Sequence, residues 1–195
     1  MKYDLSEINE IIQNRRTIYP EFFSERKVHK EQIEGLLRNA TWAPTHGMTQ
    51  PWRFKVFMGE GLSKFAKLQS ELYTSITEKE DYNERKFDKL QNRPLKSSAV
   101  IAICMQRQKS QKIPEIEEIA AVSCAVQNML LTGTAYGLAI HWTSSTPTYR
   151  TEMKSFLGLE NNDRCLGFLY IGYPKDEWPK GQRKPIEYVT DWINE

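Results

Sequence analysis

Ala99-Val100-Ile101-Ala102-Ile103-Cys104-Met105 is an unbroken apolar run of strand length, rich in β-branched residues and flanked by polar turns. A strand with no polar side to show to water predicts the centre of a sheet. The next element is equally demanding. Pro114 opens a helix that runs to about Tyr136 with Ile116, Ile119, Ala120, Cys124, Met129 and Leu130, and its second half is apolar nearly all round. Such a helix belongs in a core or in a subunit interface.

The other elements arrange themselves around these two. Ile8, Ile11 and Ile12 behind Ser6, a good N-cap residue, predict a first helix to about Arg16. Ile33, Leu36, Leu37 and Ala40 predict a second that ends before Pro44, and Leu62, Phe65, Leu68 and Leu72 a third. Trp52, Phe54, Val56 and Met58 alternate with Arg53 and Lys55 as a strand does. Leu138 to Trp142 is a short strand beyond the helix cap at Gly137, and Leu166 to Tyr173 is the last. The charged segment from about Glu78 to Lys96 reads either as a lid-like excursion or as an exposed helix with solvated charges. The tail from Trp178 to Pro185 has little to bury against its own chain, as expected of an arm laid on a second subunit. Strands and helices alternate without an even βαβ rhythm, so the fold class is α+β, with helices packed on a mixed sheet. At 195 residues, with no composition shift, the expectation is one domain over 1–195.

Several classes of function are disfavoured. Lys plus Arg number 27 against 25 for Asp plus Glu, so a formal charge of +2 gives no general pull on nucleic acid or anionic membrane, and any anion site must be local. No apolar run approaches the roughly 20 residues that span a bilayer, and Met1 to Glu7 lacks the apolar core of a secretion signal, which predicts a cytoplasmic protein. Cys104, Cys124 and Cys165 lie far apart in sequence, form no C-x-x-C pair and read as reduced, buried thiols. There is no H-E-x-x-H, G-x-S-x-G or P-loop, and His29, His46 and His141 lack metal-ligand spacing, so neither a metal nor a protein nucleophile is expected. Gly59-Glu60-Gly61 fails as a dinucleotide fingerprint, because Lys64 stands where the third glycine should be and Glu60 would face pyrophosphate with a like charge.

Two segments carry a positive signal. Arg15-Arg16-Thr17 closes the first helix, and Ala43-Pro44-Thr45-His46-Gly47-Met48-Thr49-Gln50-Pro51-Trp52 follows the second. Paired guanidiniums and a hydroxyl suit a phosphate, and a Pro-bounded polar loop suits the flat edge of an aromatic cofactor; together they suggest a flavin. Each has a plainer reading. The arginines could complement a helix dipole, His46 could be an ordinary loop histidine, Trp142-Thr143-Ser144 an ordinary strand end, and Arg183 a solvated charge. Co-occurrence is what raises the binding reading.

Taken in order, Arg15-Arg16-Thr17, Ala43-Pro44-Thr45 leading to Gln50-Pro51-Trp52, Gly137-Leu138 before Trp142, Gly167 to Pro174, and Arg183-Lys184-Pro185 resemble the nitroreductase family of FMN-dependent oxidoreductases over nearly the whole chain. The His46 loop is similar to the short, single-domain subgroup. Met48 stands where many relatives have Asn, and Tyr19 where an arginine is common. The resemblance implies a mostly antiparallel central sheet flanked by helices, in a domain-entwined homodimer with FMN at the interface. It implies that Arg15, Arg16 and Thr17 hold the FMN phosphate and ribityl chain, with Arg183 reaching the phosphate. His46 and Gln50 would lie close to the cofactor, and Trp142, Thr143 and Ser144 against its ring system. The implied activity is ping-pong hydride transfer through flavin N5, from NADPH or NADH to a small planar acceptor such as a nitroaromatic or quinone, with no catalytic protein residue required. Relatives of this fold also carry out reductive dehalogenation or flavin breakdown, and a flavin-binding protein without turnover is a further alternative.

Overall fold

In the computed structural model, which describes residues 3–194, the described residues form a four-stranded sheet of β1 (Trp52–Phe57), β2 (Ala99–Met105), β3 (Ala139–Thr143) and β4 (Arg164–Gly172). Met1, Lys2 and Glu195, at the ends of the expected 1–195 domain, lie outside them. The strand order is β1-β2-β4-β3, with every neighbouring pair antiparallel. Among the described residues a parallel element occurs only as a bridge from Thr17 to Ile140, where the Ile18 N–H donates to the Ile140 carbonyl at 3.2 Å.

Every residue of β2 is buried, as its apolar run predicts, and the side-chain alternation divides it between two cores. Ala99, Ile101, Ile103 and Met105 face α2 (Lys30–Ala40) and α5 (Glu115–Ala135), packing with Leu36, Val122, Val126 and Met129. Val100, Ala102 and Cys104 face the opposite way, with Phe65 and Leu72 of α3 (Glu60–Ile76) and Met153 and Leu157 of α6 (Thr151–Leu157). The α+β expectation is met: helices cover both faces of the sheet.

Three local expectations are corrected. α1 (Leu5–Asn14) is capped by Asp4 and not Ser6, because the Asp4 carboxylate accepts the backbone N–H of Ser6 at 2.8 Å and of Glu7 at 3.4 Å. A carboxylate also accepts the Ser6 hydroxyl, at 2.6 Å, so the serine serves the cap as a donor. The helix ends at Asn14, which leaves Arg15 and Arg16 beyond it in extended chain. Cys104 and Cys165, remote in sequence, stand opposite each other on β2 and β4, whereas Cys124 is exposed on α5.

The charged 78–96 segment contains a helix, α4 (Glu84–Lys96), most of whose residues are exposed. Asn83 caps it by accepting the Lys86 N–H at 3.1 Å, and Leu90 and Pro94 are its buried residues. Gln69 of α3 donates to the Leu90 carbonyl, and Tyr73 of α3 accepts the Asn83 N–H at 2.9 Å. These contacts hold α4 against α3 with Lys86, Lys89 and Arg93 facing the β3–α6 loop.

Candidate functional site

The end of α1 places three guanidiniums near one another. Arg16 is satisfied by backbone oxygens: its Nε donates to Pro179 at 3.1 Å, and Nη1 donates to Gln13 and Arg15, each at 2.7 Å. Gly181 passes so close that a Cβ there would stand 2.0 Å from the Arg16 guanidinium carbon, so a side chain at this position would displace the end of Arg16. Arg15 is half-buried and its pKa is lowered, first by burial and then by the charges of Arg183 and Arg16. Among the described residues no carboxylate lies within 4.0 Å of any of the three. Like charges gathered without a counter-charge make a place for an anion.

Thr17 follows and is bridged to Ile140 of β3, the strand that carries Trp142 and Thr143 and leads to Ser144. The Trp142 indole N–H donates to the Leu166 carbonyl at 3.2 Å, and Thr143 lies against Gly167. Thr143 and Ser144 then open onto a cleft of about 470 Å³, floored by Leu90, Phe168 and Tyr170 and walled by Lys86, Lys89 and Arg93 of α4. Its size falls within the range of small-molecule sites.

His141, which sequence reasoning considered only as a metal ligand, is buried behind this cleft between the rings of Tyr19, 4.6 Å away, and Tyr170, 6.2 Å away. Neither ring nitrogen has a hydrogen-bond partner. Burial, reinforced by the Arg93 charge and opposed by Glu21, lowers its pKa from 6.5 to about 4, so the ring is neutral at physiological pH. The readable signal was parity. Alternation along β3 sets His141 on the opposite face from Ile140 and Trp142, against Tyr170 of β4.

This predicts a specific acid sensitivity. Between pH 6.5 and 4 the unfolded chain protonates His141 while the folded chain does not, so stability falls as pH drops through that window, by at most about 3 kcal/mol. Chemical denaturation at pH 7 and pH 4.5 should show the loss for the wild type and a shallower one for His141→Phe; equal slopes would contradict the burial argument.

The His46 loop is elsewhere. Gly47, Met48 and Gln50 all have positive φ, at 56°, 53° and 44°, two of them without the freedom of glycine. Thr45 Oγ1 accepts the Gln50 N–H at 3.1 Å, and His46 Nδ1 pairs with Glu117 at 2.5 Å, tying the loop to the first turns of α5. Arg15, by contrast, follows Asn14, whose carbonyl accepts the Trp178 indole N–H at 2.6 Å beside Thr134, near the last turn of α5. From Glu117 to Thr134 the helix rises roughly 26 Å at ~1.5 Å per residue. The groups also lie at opposite sheet edges, since Gln50 leads into β1 and Thr17 bridges β3. Within one chain, Arg15, Arg16 and Arg183 cluster and Thr17 is bridged to the strand that leads to Trp142–Ser144, whereas His46 and Gln50 stand at the other edge of the sheet.

With this geometry in view, comparison with known proteins is informative. A model described as the nitroreductase family matches residues 12–173. YdjA of Escherichia coli (strain K12), which carries the provisional name NAD(P)H nitroreductase, is 29% identical over 85% of this chain and 87% of its own. The crystal structure of a nitroreductase-like family protein from Bacillus cereus superposes with a TM-score of 0.82 at 31% identity, covering 100% of this chain and 99% of the other. The FMN-dependent nitroreductase NfnB from Mycobacterium smegmatis, solved in complex with NADPH, shares the fold, with a TM-score of 0.74 at 18% identity over 98% of this chain and 100% of its own.

Proposed function

The chain belongs to the nitroreductase family, and we propose that it is an FMN-dependent NAD(P)H oxidoreductase that reduces planar acceptors such as nitroaromatics or quinones. The observation that carries this reading is the cluster of Arg15, Arg16 and Arg183, with no carboxylate within 4.0 Å among the described residues, on a segment bridged through Thr17 to the strand that leads into the hydroxyl-lined cleft. FMN, when bound, supplies the hydride chemistry at N5, taking reducing equivalents from the nicotinamide and releasing them to the acceptor in turn. The donor set fits that cofactor: cations for its phosphate and hydroxyls for its polar edge.

The chain's own tasks are binding and positioning. Arg15 and Arg183 hold the phosphate, while Arg16, already bonded to Pro179, Gln13 and Arg15, fixes the turn and the tail around them. Thr17 orients the polar chain. Trp142, Thr143 and Ser144 line the ring edge, where donors stabilise the negative charge that grows on reduction. His46 and Gln50, too far away on the same chain, reach the cofactor from a second copy in a homodimer. Trp192 and Ile193, 79% and 89% exposed, show how little of the tail its own chain covers, which favours an arm on that second copy.

The test is direct. The purified protein should show a flavin visible spectrum, or acquire one with added FMN, and anaerobic NADPH should bleach it. A preparation that stays colourless after FMN addition overturns the proposal, and a bound flavin that NADPH fails to bleach overturns its reductase part.

A further inference from the structure

The cleft wall formed by α4 is unusual in its charge. Lys86, Lys89 and Arg93 line it and no carboxylate does. Arg93 is committed elsewhere: its Nε donates to Glu21 at 2.8 Å, and its guanidinium carbon lies 5.4 Å from the centre of the Tyr19 ring. Lys86 reaches across the cleft, Nζ donating to Thr146 Oγ1 at 2.7 Å, and stands 5.0 Å from the Tyr73 ring centre. Both partners are neutral, so its charge stays available. Lys89 has no carboxylate within 4.0 Å among the described residues. Lys86 therefore reaches over the cleft opposite the Thr143–Ser144 hydroxyls assigned above to the cofactor edge, and Lys89 stands at its rim, shared with a neighbouring cavity that contains Glu21 and Asp88.

We propose that this cleft recognises the carboxylate of an anionic aromatic electron acceptor, with Lys86 and Lys89 as specificity-determining residues. The inference rests on the flavin reductase reading and narrows its substrate class. Phosphates of the nicotinamide dinucleotide are the other anions the lysines could meet. The acceptor is favoured because a cleft of about 470 Å³ floored by Leu90, Phe168 and Tyr170 suits one substituted ring better than an extended dinucleotide. A lysine at a partly exposed site then discriminates by Coulomb attraction to the ring's carboxylate, a term that salt weakens.

Flavin-loaded protein should be assayed with 4-nitrobenzoate and its neutral analogue 4-nitrobenzyl alcohol, for the wild type, Lys89→Gln and the Lys86→Gln, Lys89→Gln double variant. The wild type should show a higher kcat/KM for the benzoate, and the benzoate-to-alcohol ratio should fall up to about fivefold for each lysine removed, and with added salt. A wild-type ratio at or below one, or a ratio unmoved in the double variant, overturns the inference while alcohol turnover leaves the reductase reading intact. A ratio unmoved while the KM for NADPH rises assigns the lysines to the dinucleotide and also overturns it. If neither compound is reduced, the reductase reading fails on its own. Equilibrium dialysis of the same pair then decides the inference: tighter, lysine-dependent binding of the benzoate sustains it, and equal binding overturns it.

Discussion

Replacing Arg15 and Arg183 together with alanine is expected to weaken FMN binding by at least about a hundredfold, because each charge-assisted phosphate contact contributes about 1.5–3 kcal/mol. The geometry separates these residues from their neighbour. Arg15 and Arg183 have no carboxylate within 4.0 Å among the described residues, and the Arg15 pKa is lowered first by burial and then by the charges of Arg183 and Arg16, so a bound anion relieves an existing cost. Arg16 spends its donors on the carbonyls of Gln13, Arg15 and Pro179. Arg16→Ala should therefore act by loosening the tail, with a smaller loss of affinity and increased proteolysis beyond Pro179. Fluorescence titration of FMN measures the double variant, Arg16→Ala and Arg15→Ala alone. A larger loss for Arg16→Ala than for Arg15→Ala would reverse the assignment.

Gly167→Val is expected to destabilise the fold by about 3–5 kcal/mol, the sum of a strained backbone and an overpacked contact. Gly167 has φ of +117° in β4, a conformation closed to a β-branched residue, and an added Cβ would stand 2.6 Å from the Thr143 carbonyl oxygen and 3.1 Å from the Trp142 indole nitrogen. The clash is with backbone, which cannot rotate aside. The melting temperature should fall by about 10 °C, and whatever folds should bind FMN more weakly, because the displaced strand end carries Trp142 to Ser144. A variant with an unchanged melting temperature would mean that the β3–β4 contact is looser than it stands here.

The parts legible in the sequence were those governed by local periodicity. Ala99–Met105 declared a central strand because seven apolar residues leave no alternative face, and the 114–136 helix declared itself by length and by Pro114. α4 stayed ambiguous because its inward stripe is thin: Leu90 and Pro94 alone are buried, amid charged residues that suit a loop equally well. The cap at Asp4 was missed because serine and aspartate two residues apart are equivalent as side-chain types, and only geometry chooses between them. Non-local facts had no local signature. The juxtaposition of Cys104 and Cys165 depends on the β2–β4 register, the division of labour between Arg15 and Arg16 on where the tail returns, and the isolation of His141 on which helix covers that edge.

The two ends of α5 have a genetic consequence. When each cofactor site takes its arginines from one subunit and its His46 loop from the other, subunits damaged at opposite ends repair each other. A chain lacking Arg15 and Arg183, mixed with a chain lacking His46, forms hybrid dimers in which one site carries both defects and the other carries neither. Two inactive preparations, dissociated and reassembled together, should recover up to about half the flavin occupancy of the wild type in each hybrid, since a two-fold axis leaves one of its two sites whole.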